Sequence, residues 1–293
     1  MKNKIFFGHL ISIMTILIWG TTFISSKVLL VDFSPVELLF FRSLLAITAL
    51  TLFHPRRLKG IPFKHELMLA AAGLCGVTLY FLLENMALTY TQASNASVIV
   101  STAPIFTAFF AFFFLKQEKL SLRFFLGFLA AISGIFAISF SGVTELNLNP
   151  KGDLMALGAA LVWGIYSTLI RKIGAYGYHT VLVTRRVFIY GTIFMIPFMY
   201  FMNFRLDLSR FLNPVYTLNI LYLGIGASAI CFVAWNYAIK LLGALKTSVY
   251  IYLIPVVTII TSVLILDETI TLISIVGTAL TVLGLLISES KKI

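Results

Sequence analysis

Five ionisable side chains lie inside long apolar stretches of this 293-residue chain, and they are the residues best placed to do chemistry. They are four cations and one acid: Lys27, Arg42, Arg185, Arg186 and Glu84. A cation at the centre of a membrane span costs about 2.5–3.5 kcal/mol by insertion scales. These residues therefore need ion partners, water or a cavity, and a group of this kind can bind a charged molecule or carry a proton.

The elements that would position these residues are membrane spans. Sixty per cent of the residues are hydrophobic, 11% are charged and the mean hydropathy is +1.00, which is too apolar for a soluble domain. A span needs about 20 apolar residues. We predict an all-α integral membrane protein with ten spans, at residues 9–30, 35–53, 67–88, 94–115, 122–141, 152–171, 178–202, 216–239, 247–266 and 270–288.

The net charge of +11 would suggest a nucleic-acid partner for a soluble protein, but its distribution indicates membrane topology. With a cytoplasmic N-terminus, the inner segments carry most of the Lys and Arg residues. The outer loops then carry only Lys151, Arg205 and Arg210, which is the positive-inside pattern. We expect a multi-pass protein of the plasma (inner) membrane with both termini in the cytoplasm, in contact with membrane lipids and not with nucleic acid.

Two halves of the chain share motifs in the same order, 144 to 151 residues apart. The matched pairs are Trp19-Gly20 and Trp163-Gly164, Arg42 and Arg186, Asn85 and Asn236, Pro104 and Pro255, and Gly134 and Gly284. We predict one repeat at residues 1–141 and a second at residues 152–288, each with five spans. Because five is odd, the second repeat enters the membrane from the opposite side, an arrangement typical of secondary transporters.

Glu84 falls at a depth similar to those of Lys27 and Arg42, in the outer half of the membrane. Arg42 lies about 10 Å into its span by helix rise. Lys27, near the outer end of its span, can snorkel to the headgroups. Glu84 can form a structural ion pair with Arg42 or Lys27, or it can bind substrate and take up a proton. Glu84 is therefore the proton-coupling candidate and, with Arg42, a substrate-binding candidate.

Arg185 and Arg186 lie at a comparable depth from the inner side. Adjacent helix positions point about 100° apart, so the two cannot face one cavity equally. Arg186 matches Arg42 and is expected to point inward, whereas Arg185 snorkels or lies at a helix interface. The position equivalent to Glu84 is Trp235, so we expect Arg186 to be less neutralised than Arg42. Arg186 is thus a candidate for an anionic substrate group, with a lipid phosphate as the competing ligand.

Further binding-site candidates are polar or aromatic. Asn85 and Asn236 either hydrogen-bond between helices or line a cavity. Six aromatic residues either wall that cavity or serve as packing or interfacial residues: Trp19, Tyr80, Trp163, Tyr166, Trp235 and Tyr252.

Prolines and small residues also recur in both halves. Pro104 and Pro255 lie inside spans 4 and 9, where a kink serves either packing or gating. The faces Gly127–Gly134 of span 5 and Gly277–Gly284 of span 10 favour close helix packing, with a homodimer interface as the alternative.

Other acids are expected to cap helices. Ser34-Pro35-Val36-Glu37 is typical of a capping box with proline at the first helical position. Glu118 and Glu268 precede spans 5 and 10, where an acid suits the N-terminus of its own helix. Cys75 and Cys231 are expected to be small apolar fillers, so neither a metal site nor a cofactor is indicated.

The motifs together resemble the EamA branch of the drug/metabolite transporter superfamily. The resemblance is carried by ILIWGTTFISSK at 16–27, FFRSLLA at 40–46, ALTYTQASNASVIVSTAP at 87–104, the stretch from Glu118 to Gly134, and GDLMALGAALVWGIYSTLIRK at 152–172. It covers essentially the whole chain but leaves the substrate open. It implies that each half contributes helices to a central cavity, that the fifth and tenth helices pack peripherally, and that export, in some members driven by protons, is a common activity.

These observations predict a secondary transporter that exports a small polar metabolite by alternating access. Cations with one acid suit an amino acid or a similar zwitterion. An organic-anion or phosphometabolite exchanger and a flippase of a lipid-linked precursor remain alternatives. No catalytic residue is assigned, because the sequence has no H-E-x-x-H, G-x-S-x-G or G-x-x-x-x-G-K-[ST] motif.

Overall fold

The computed structural model describes residues 2–115, 122–139 and 150–289, and these residues form helices and no strands. We number the main helices in chain order: α1 Lys2–Leu29, α2 Pro35–Phe53, α3 Phe63–Tyr90, α4 Ala93–Phe114, α5 Leu122–Ser139, α6 Pro150–Gly174, α7 Thr180–Phe201, α8 Pro214–Leu242, α9 Ala244–Leu266 and α10 Leu272–Glu289. A short 3-10 helix, Ser209–Leu212, lies between α7 and α8.

Eight of the described helices, α1–α4 and α6–α9, are long and apolar enough to cross a membrane. A shorter apolar stretch, Leu272–Gly284, lies in α10. The all-α prediction is therefore confirmed for the residues that the structure describes, and eight of their helices have the length and composition of membrane spans. Glu118 lies outside the described residues.

Helices α3 and α8 each contain a π-helical segment, at Leu74–Leu79 and Tyr222–Ile230. The same offset of 151 residues relates Asn85 to Asn236 and Leu74–Leu79 to residues 225–230. The first π-helical segment therefore corresponds to the last six residues of the second. A π-helical turn holds an extra residue and changes the direction of the side chains that follow it, and such turns are frequent at functional sites. The same distortion thus occurs at matching positions of the two halves.

Helices α4 and α9 are both interrupted just before a proline. The first helical segment of α4 ends at Val100, and a 3-10 segment, Val249–Leu253, interrupts α9. Pro104 and Pro255 are each the second residue of the α-helical segment that follows. An N–H group in the first turn of a helix has no intrahelical acceptor, so a proline at this position costs no backbone hydrogen bond. The prolines therefore mark breaks in the helices, and their role in gating stays a prediction.

Glycines let helices of the two halves approach at matched positions. A Cβ atom on Gly20 of α1 would lie 2.5 Å from Val257 of α9. A Cβ atom on Gly164 of α6 would lie 2.7 Å from the backbone of Phe106 in α4. Gly20 matches Gly164, and Phe106 matches Val257, in the sequence register. The contact of α1 with α9 is therefore repeated as the contact of α6 with α4.

The small-residue faces of α5 and α10 pack against each other within the chain. A Cβ atom on Gly134 would lie 2.5 Å from the Gly277 carbonyl oxygen, and one on Gly284 would lie 2.5 Å from the Ala131 nitrogen. The helix-packing interpretation of these faces is confirmed. They are consequently not free to form the alternative dimer interface, and the homodimer itself stays a prediction.

The capping box at the start of α2 is confirmed. The Ser34 N–H donates to Glu37 Oε2 at 2.9 Å, and the Glu37 N–H donates to Ser34 Oγ at 3.4 Å. Glu37 also accepts from Arg210 Nη1 at 2.8 Å and from the Arg205 N–H at 2.9 Å. One acid thus holds the connection between α7 and α8 against the N-terminal end of α2.

The prediction that Glu268 caps its own helix is wrong. Its carboxylate accepts from the Ala93 N–H at 2.7 Å and therefore caps α4, which belongs to the other half of the chain. The start of α10 is instead capped by Thr271, whose Oγ1 accepts from the Ser274 N–H at 3.1 Å. Because loop 267–271 runs towards α4, the nearest N-terminus in space is not the nearest in sequence.

We expect the contact between α6 and α4 to require glycine at position 164. Gly164→Ala forces a methyl group against backbone and should lower the free energy of unfolding by about 1–3 kcal/mol. Gly158→Ala on the same helix is the matched control, because its Cβ would meet only the end of the Leu83 side chain, at 3.3 Å. Alanine favours a helix over glycine by about 0.5–1 kcal/mol, so the control should be neutral or stabilised. Equal melting temperatures of the two variants in detergent would contradict the close packing.

Candidate functional site

Six aromatic side chains from four helices meet in the interior of the protein. We call them the aromatic cluster: Trp19 of α1, Tyr80 of α3, Trp163 and Tyr166 of α6, and Phe232 and Trp235 of α8. The Trp19 ring centroid lies 5.3 Å from that of Trp163 and 5.0 Å from that of Trp235. Tyr80 lies 4.7 Å from Trp163. The structure therefore brings together five of the six aromatic residues that the sequence proposed for the site. The sixth, Tyr252, packs with Ile105 and Ala131 in a separate cluster.

The indole N–H groups of this cluster differ in their hydrogen bonding. Trp19 Nε1 donates to the Ala227 carbonyl oxygen at 3.0 Å. Trp163 Nε1 and Trp235 Nε1 are buried and have no hydrogen-bond partner among the described residues. A buried donor without a partner costs about 1–3 kcal/mol. Two such donors in one cluster are therefore candidates to bind an acceptor that enters the protein.

Arg42 is a fully buried cation beside the aromatic cluster. Its Nε donates to Ser228 Oγ at 3.1 Å, and its guanidinium lies 3.7 Å from the ring centroid of Phe81. Its Nη1 has no hydrogen-bond partner among the described residues. Phe81 in turn lies 5.6 Å from Phe232 of the cluster. The cation is stabilised by a hydroxyl and a π-face, and one of its strong donors remains available.

Glu84 lies one helical turn after Tyr80 on α3 and is 4% exposed. The Tyr80 hydroxyl donates to Glu84 Oε1 at 3.4 Å, a long hydrogen bond. Within the described residues, the ion pairs of 4.0 Å or less do not include Glu84. The expected structural ion pair with Arg42 or Lys27 is therefore not formed. A buried acid with a single weak hydrogen bond is a group that can gain a proton or an ammonium ligand.

Asn85 and Asn236 both join helices. Asn85 Nδ2 donates to the Pro35 carbonyl oxygen of α2 at 3.1 Å, and its Oδ1 has no partner among the described residues. Asn236 Nδ2 donates to Thr184 Oγ1 of α7 at 3.0 Å, and its Oδ1 accepts from the Tyr166 hydroxyl at 2.8 Å. Both therefore link helices, and Asn236 also fixes one ring of the aromatic cluster.

Lys27 does not snorkel away from the protein. Its Nζ lies 3.5 Å from Glu268 Oε1 and donates to the Thr91 carbonyl oxygen at 2.9 Å. Two partners on other elements therefore hold Lys27 at the C-terminal end of α1. The ion partner of Lys27 is Glu268 of loop 267–271 and not Glu84.

The expectation that Arg186 is less neutralised than Arg42 is wrong. Arg186 Nε lies 3.2 Å from Glu66 Oε1, and its side chain is 35% exposed. The physical reason is the start of α3, which begins at Phe63 and not near residue 67, so that Glu66 faces α7 from within the helix. The Tyr190 hydroxyl also donates to Glu66. Arg186 lies outside the aromatic cluster, and its part in substrate binding stays a prediction.

Arg185 lies at a helix interface, which is one of the two positions expected for it. Its Nη1 donates to the His54 carbonyl oxygen at 2.9 Å, and its Nη2 donates to the Arg56 carbonyl oxygen. These carbonyl groups follow the last turn of α2, where helix geometry leaves acceptors free. A cation at this end of the helix also complements its dipole.

The sequence analysis missed residues that complete the site. Phe81 and Phe232 match each other in the repeat register, so the pairing of large aromatic residues could have identified both. Ser228 matches Val77 and carries no such signal. Elsewhere among the described residues, the buried hydroxyl groups of Ser43 and Ser167 also have no hydrogen-bond partner. Over the same residues, no cluster of three or more His, Cys, Asp or Glu side chains could hold a metal ion.

Comparisons with known proteins agree on one family. The sequence model of the EamA-like transporter family matches residues 6–140 and again residues 150–289. An "Uncharacterized transporter" of Archaeoglobus fulgidus is 31% identical, over 97% of this chain and 98% of that protein. A "Probable terminal-alkyne amino-acid exporter" of Streptantibioticus cattleyicolor is 27% identical, over 94% of this chain and 91% of that protein.

A solved crystal structure shares the fold. It superposes with a TM-score of 0.68 over 96% of each chain, at 19% sequence identity. At this identity the likeness concerns the arrangement of the helices and not the ligand.

We expect the two matched tryptophans to respond differently to loss of the indole N–H. Trp19→Phe removes the bond to the Ala227 carbonyl oxygen, whereas Trp163→Phe removes a donor that has no partner. Both variants lose similar ring volume, so Trp19→Phe should be less stable by about 1–3 kcal/mol. Thermal unfolding of both variants in detergent measures this difference. If Trp163→Phe were the less stable, its N–H would have a partner and would not be available to a ligand.

Proposed function

Because the chain belongs to the EamA-like transporter family, we propose that it exports a small zwitterion, most simply an amino acid, by alternating access. It is a multi-pass membrane transporter and not an enzyme. The proposal of a zwitterion as the substrate rests on one observation. Arg42 and Glu84, a buried cation and a buried acid, flank the aromatic cluster, and neither is satisfied by an ion partner within the described residues.

In this proposal each charged group binds one end of the zwitterion. Arg42 Nη1 and the indole N–H groups of Trp163 and Trp235 donate to the carboxylate, which is rich in acceptors. Glu84 accepts from the ammonium group. On the return step Glu84 binds a proton in place of the ammonium group, so that one proton enters for each amino acid that leaves. The amino-acid exporter among the relatives supports this substrate class.

The proposal includes ten spans arranged as two inverted five-helix repeats, at residues 1–141 and 152–288. The matched contacts of Gly20 with Val257 and of Gly164 with Phe106 support this arrangement. The matched π-helical segments of α3 and α8 support it as well. Exchange of these equivalent contacts would open the site first to one face and then to the other.

Orientation in the plasma membrane follows from the charged loops. The excess of Lys and Arg in the predicted inner segments supports cytoplasmic termini. Lys27 and Glu37 then lie at the outer face, and Arg185 and Arg186 at the inner face. A homodimer is retained in the proposal without an assigned surface.

An organic-anion or phosphometabolite exchanger is less well supported. That alternative depended on an excess of unpaired cations within the membrane. Lys27 pairs with Glu268 and Arg186 with Glu66, which leaves Arg42 as the cation best placed for an anion. Arg186→Gln should therefore leave transport of the substrate largely intact. Loss of uptake on this change alone would favour the anion exchanger.

We expect amino-acid counterflow in proteoliposomes and faster uptake under an imposed proton gradient. Glu84→Gln keeps the size of the side chain but removes its charge, so the response to the gradient should disappear. Exchange should fall by about tenfold or more, equivalent to about 1.4 kcal/mol of lost binding. Asp207→Asn is the control, because it removes one negative charge from a side chain that is 50% exposed at the surface.

Two outcomes would oppose the proposal. Absence of counterflow with every amino acid tested would remove the substrate class. A Glu84→Gln variant with a normal response to the proton gradient would remove Glu84 as the coupling residue.

A further inference from the structure

The carboxylate of Glu268 is bound by donors from two helices of the other half of the chain. Its Oε1 accepts from the Ala93 N–H at 2.7 Å, and its Oε2 accepts from the Ser94 N–H at 3.1 Å and from Ser94 Oγ at 2.7 Å. Lys27 Nζ of α1 lies 3.5 Å from Oε1. An acid at a helix N-terminus with a cation beside it is a favourable arrangement for the charged carboxylate.

Glu268 stays charged at neutral pH in this arrangement. Burial by itself would raise its pKa, but the hydrogen bonds from Ser94 and the Ala93 N–H and the charge of Lys27 outweigh burial and lower it. A carboxylate whose pKa is lowered stabilises the contact above its ordinary pKa, and that stabilisation is lost as the pH falls through the lowered value. The contact is therefore fully formed at physiological pH.

This contact lies between the outer surface and the aromatic cluster. It borders an open depression of about 610 Å³ that is lined by Lys27, Gln92, Glu268 and their neighbours. Lys27 is eight residues after Trp19 on α1, about 12 Å along the helix. Below the contact, Gly20 of α1 packs directly against Val257 of α9. Helices α1, α4 and α9 therefore pack against one another in the region of this contact.

We propose that the contact of Glu268 with Lys27 and the N-terminus of α4 holds the outer gate of this transporter closed. We call this contact the latch. This inference rests on the proposed function, because it assigns the contact that must break before the central site opens outward. Loop 267–271 follows α9 directly, so release of Glu268 frees the outer end of α9 from α1 and α4. Water then replaces the protein donors on the carboxylate, and the depression extends towards the aromatic cluster.

Outward opening should be detectable without knowledge of the substrate. Ser97 of α4 is fully buried and lies one turn below Ser94, so Ser97→Cys reports on water access beneath the latch. The two native cysteines are first replaced as Cys75→Ala and Cys231→Ala. The rate of labelling by a sulfonated, membrane-impermeant maleimide is then measured in right-side-out and in inverted membrane vesicles.

Glu268→Gln should increase the labelling rate at the face that carries loop 267–271 by about tenfold, because charge-assisted hydrogen bonds are lost. Ser94→Ala removes one donor and should give a smaller increase at the same face. Asp267→Asn is the matched control: it removes a negative charge from the same loop, and asparagine tolerates the left-handed conformation at this position. Its labelling rate should equal that of the parent protein.

Equal labelling rates for Glu268→Gln and Asp267→Asn would overturn the latch. If Glu268→Gln does not fold, the comparison of Ser94→Ala with Asp267→Asn decides in the same way, and equal rates again overturn it. A failure of amino-acid counterflow with an intact difference in labelling would overturn the proposed substrate and leave the latch standing. The two claims therefore fail separately.

Discussion

Burial of positive charge among apolar helices is the constraint on which this structure depends. Lys27, Arg185 and Arg186 each meet that constraint through partners on other elements, and each thereby joins helices near a membrane face. Arg42 meets it only in part, with one hydroxyl partner and the face of Phe81. A buried cation with too few partners destabilises the fold. A ligand that supplies the missing partners would offset that loss of stability. The position of Arg42 beside the aromatic cluster agrees with that role.

The scaffold around Arg42 relies on contacts that occur twice. Glycine brings α1 against α9 and α6 against α4, and π-helical segments occur at matching places in α3 and α8. The ionisable groups do not follow this symmetry. Glu84 matches Trp235, so the acid and the aromatic ring occupy equivalent positions in the two halves. The matched contacts suit a change of conformation that both halves share, whereas the unmatched residues suit recognition of a single asymmetric molecule.

Much of the fold and part of the site could be predicted from the sequence, because hydropathy and the repeat register are properties of the chain itself. They identified Trp19, Trp163 and Trp235 as residues that either wall one cavity or pack between helices, and the structure brings the three together. The partners of Arg186 and Glu268 could not be predicted in this way. Glu66 was missed because charged residues at the start of α3 lower the local hydropathy and hide the true helix end. Glu268 was assigned to its own helix because local rules of helix capping do not report which N-terminus is nearest in space.

The central claim is that Glu84 exchanges a proton for the ammonium group of the substrate. The most direct test is the proton release that accompanies amino-acid binding to the purified protein in weakly buffered detergent solution. The account predicts release of about one proton per bound molecule at a pH where Glu84 is protonated in the empty protein, and no release from Glu84→Gln. Binding without proton release, or equal release by the variant, would contradict it.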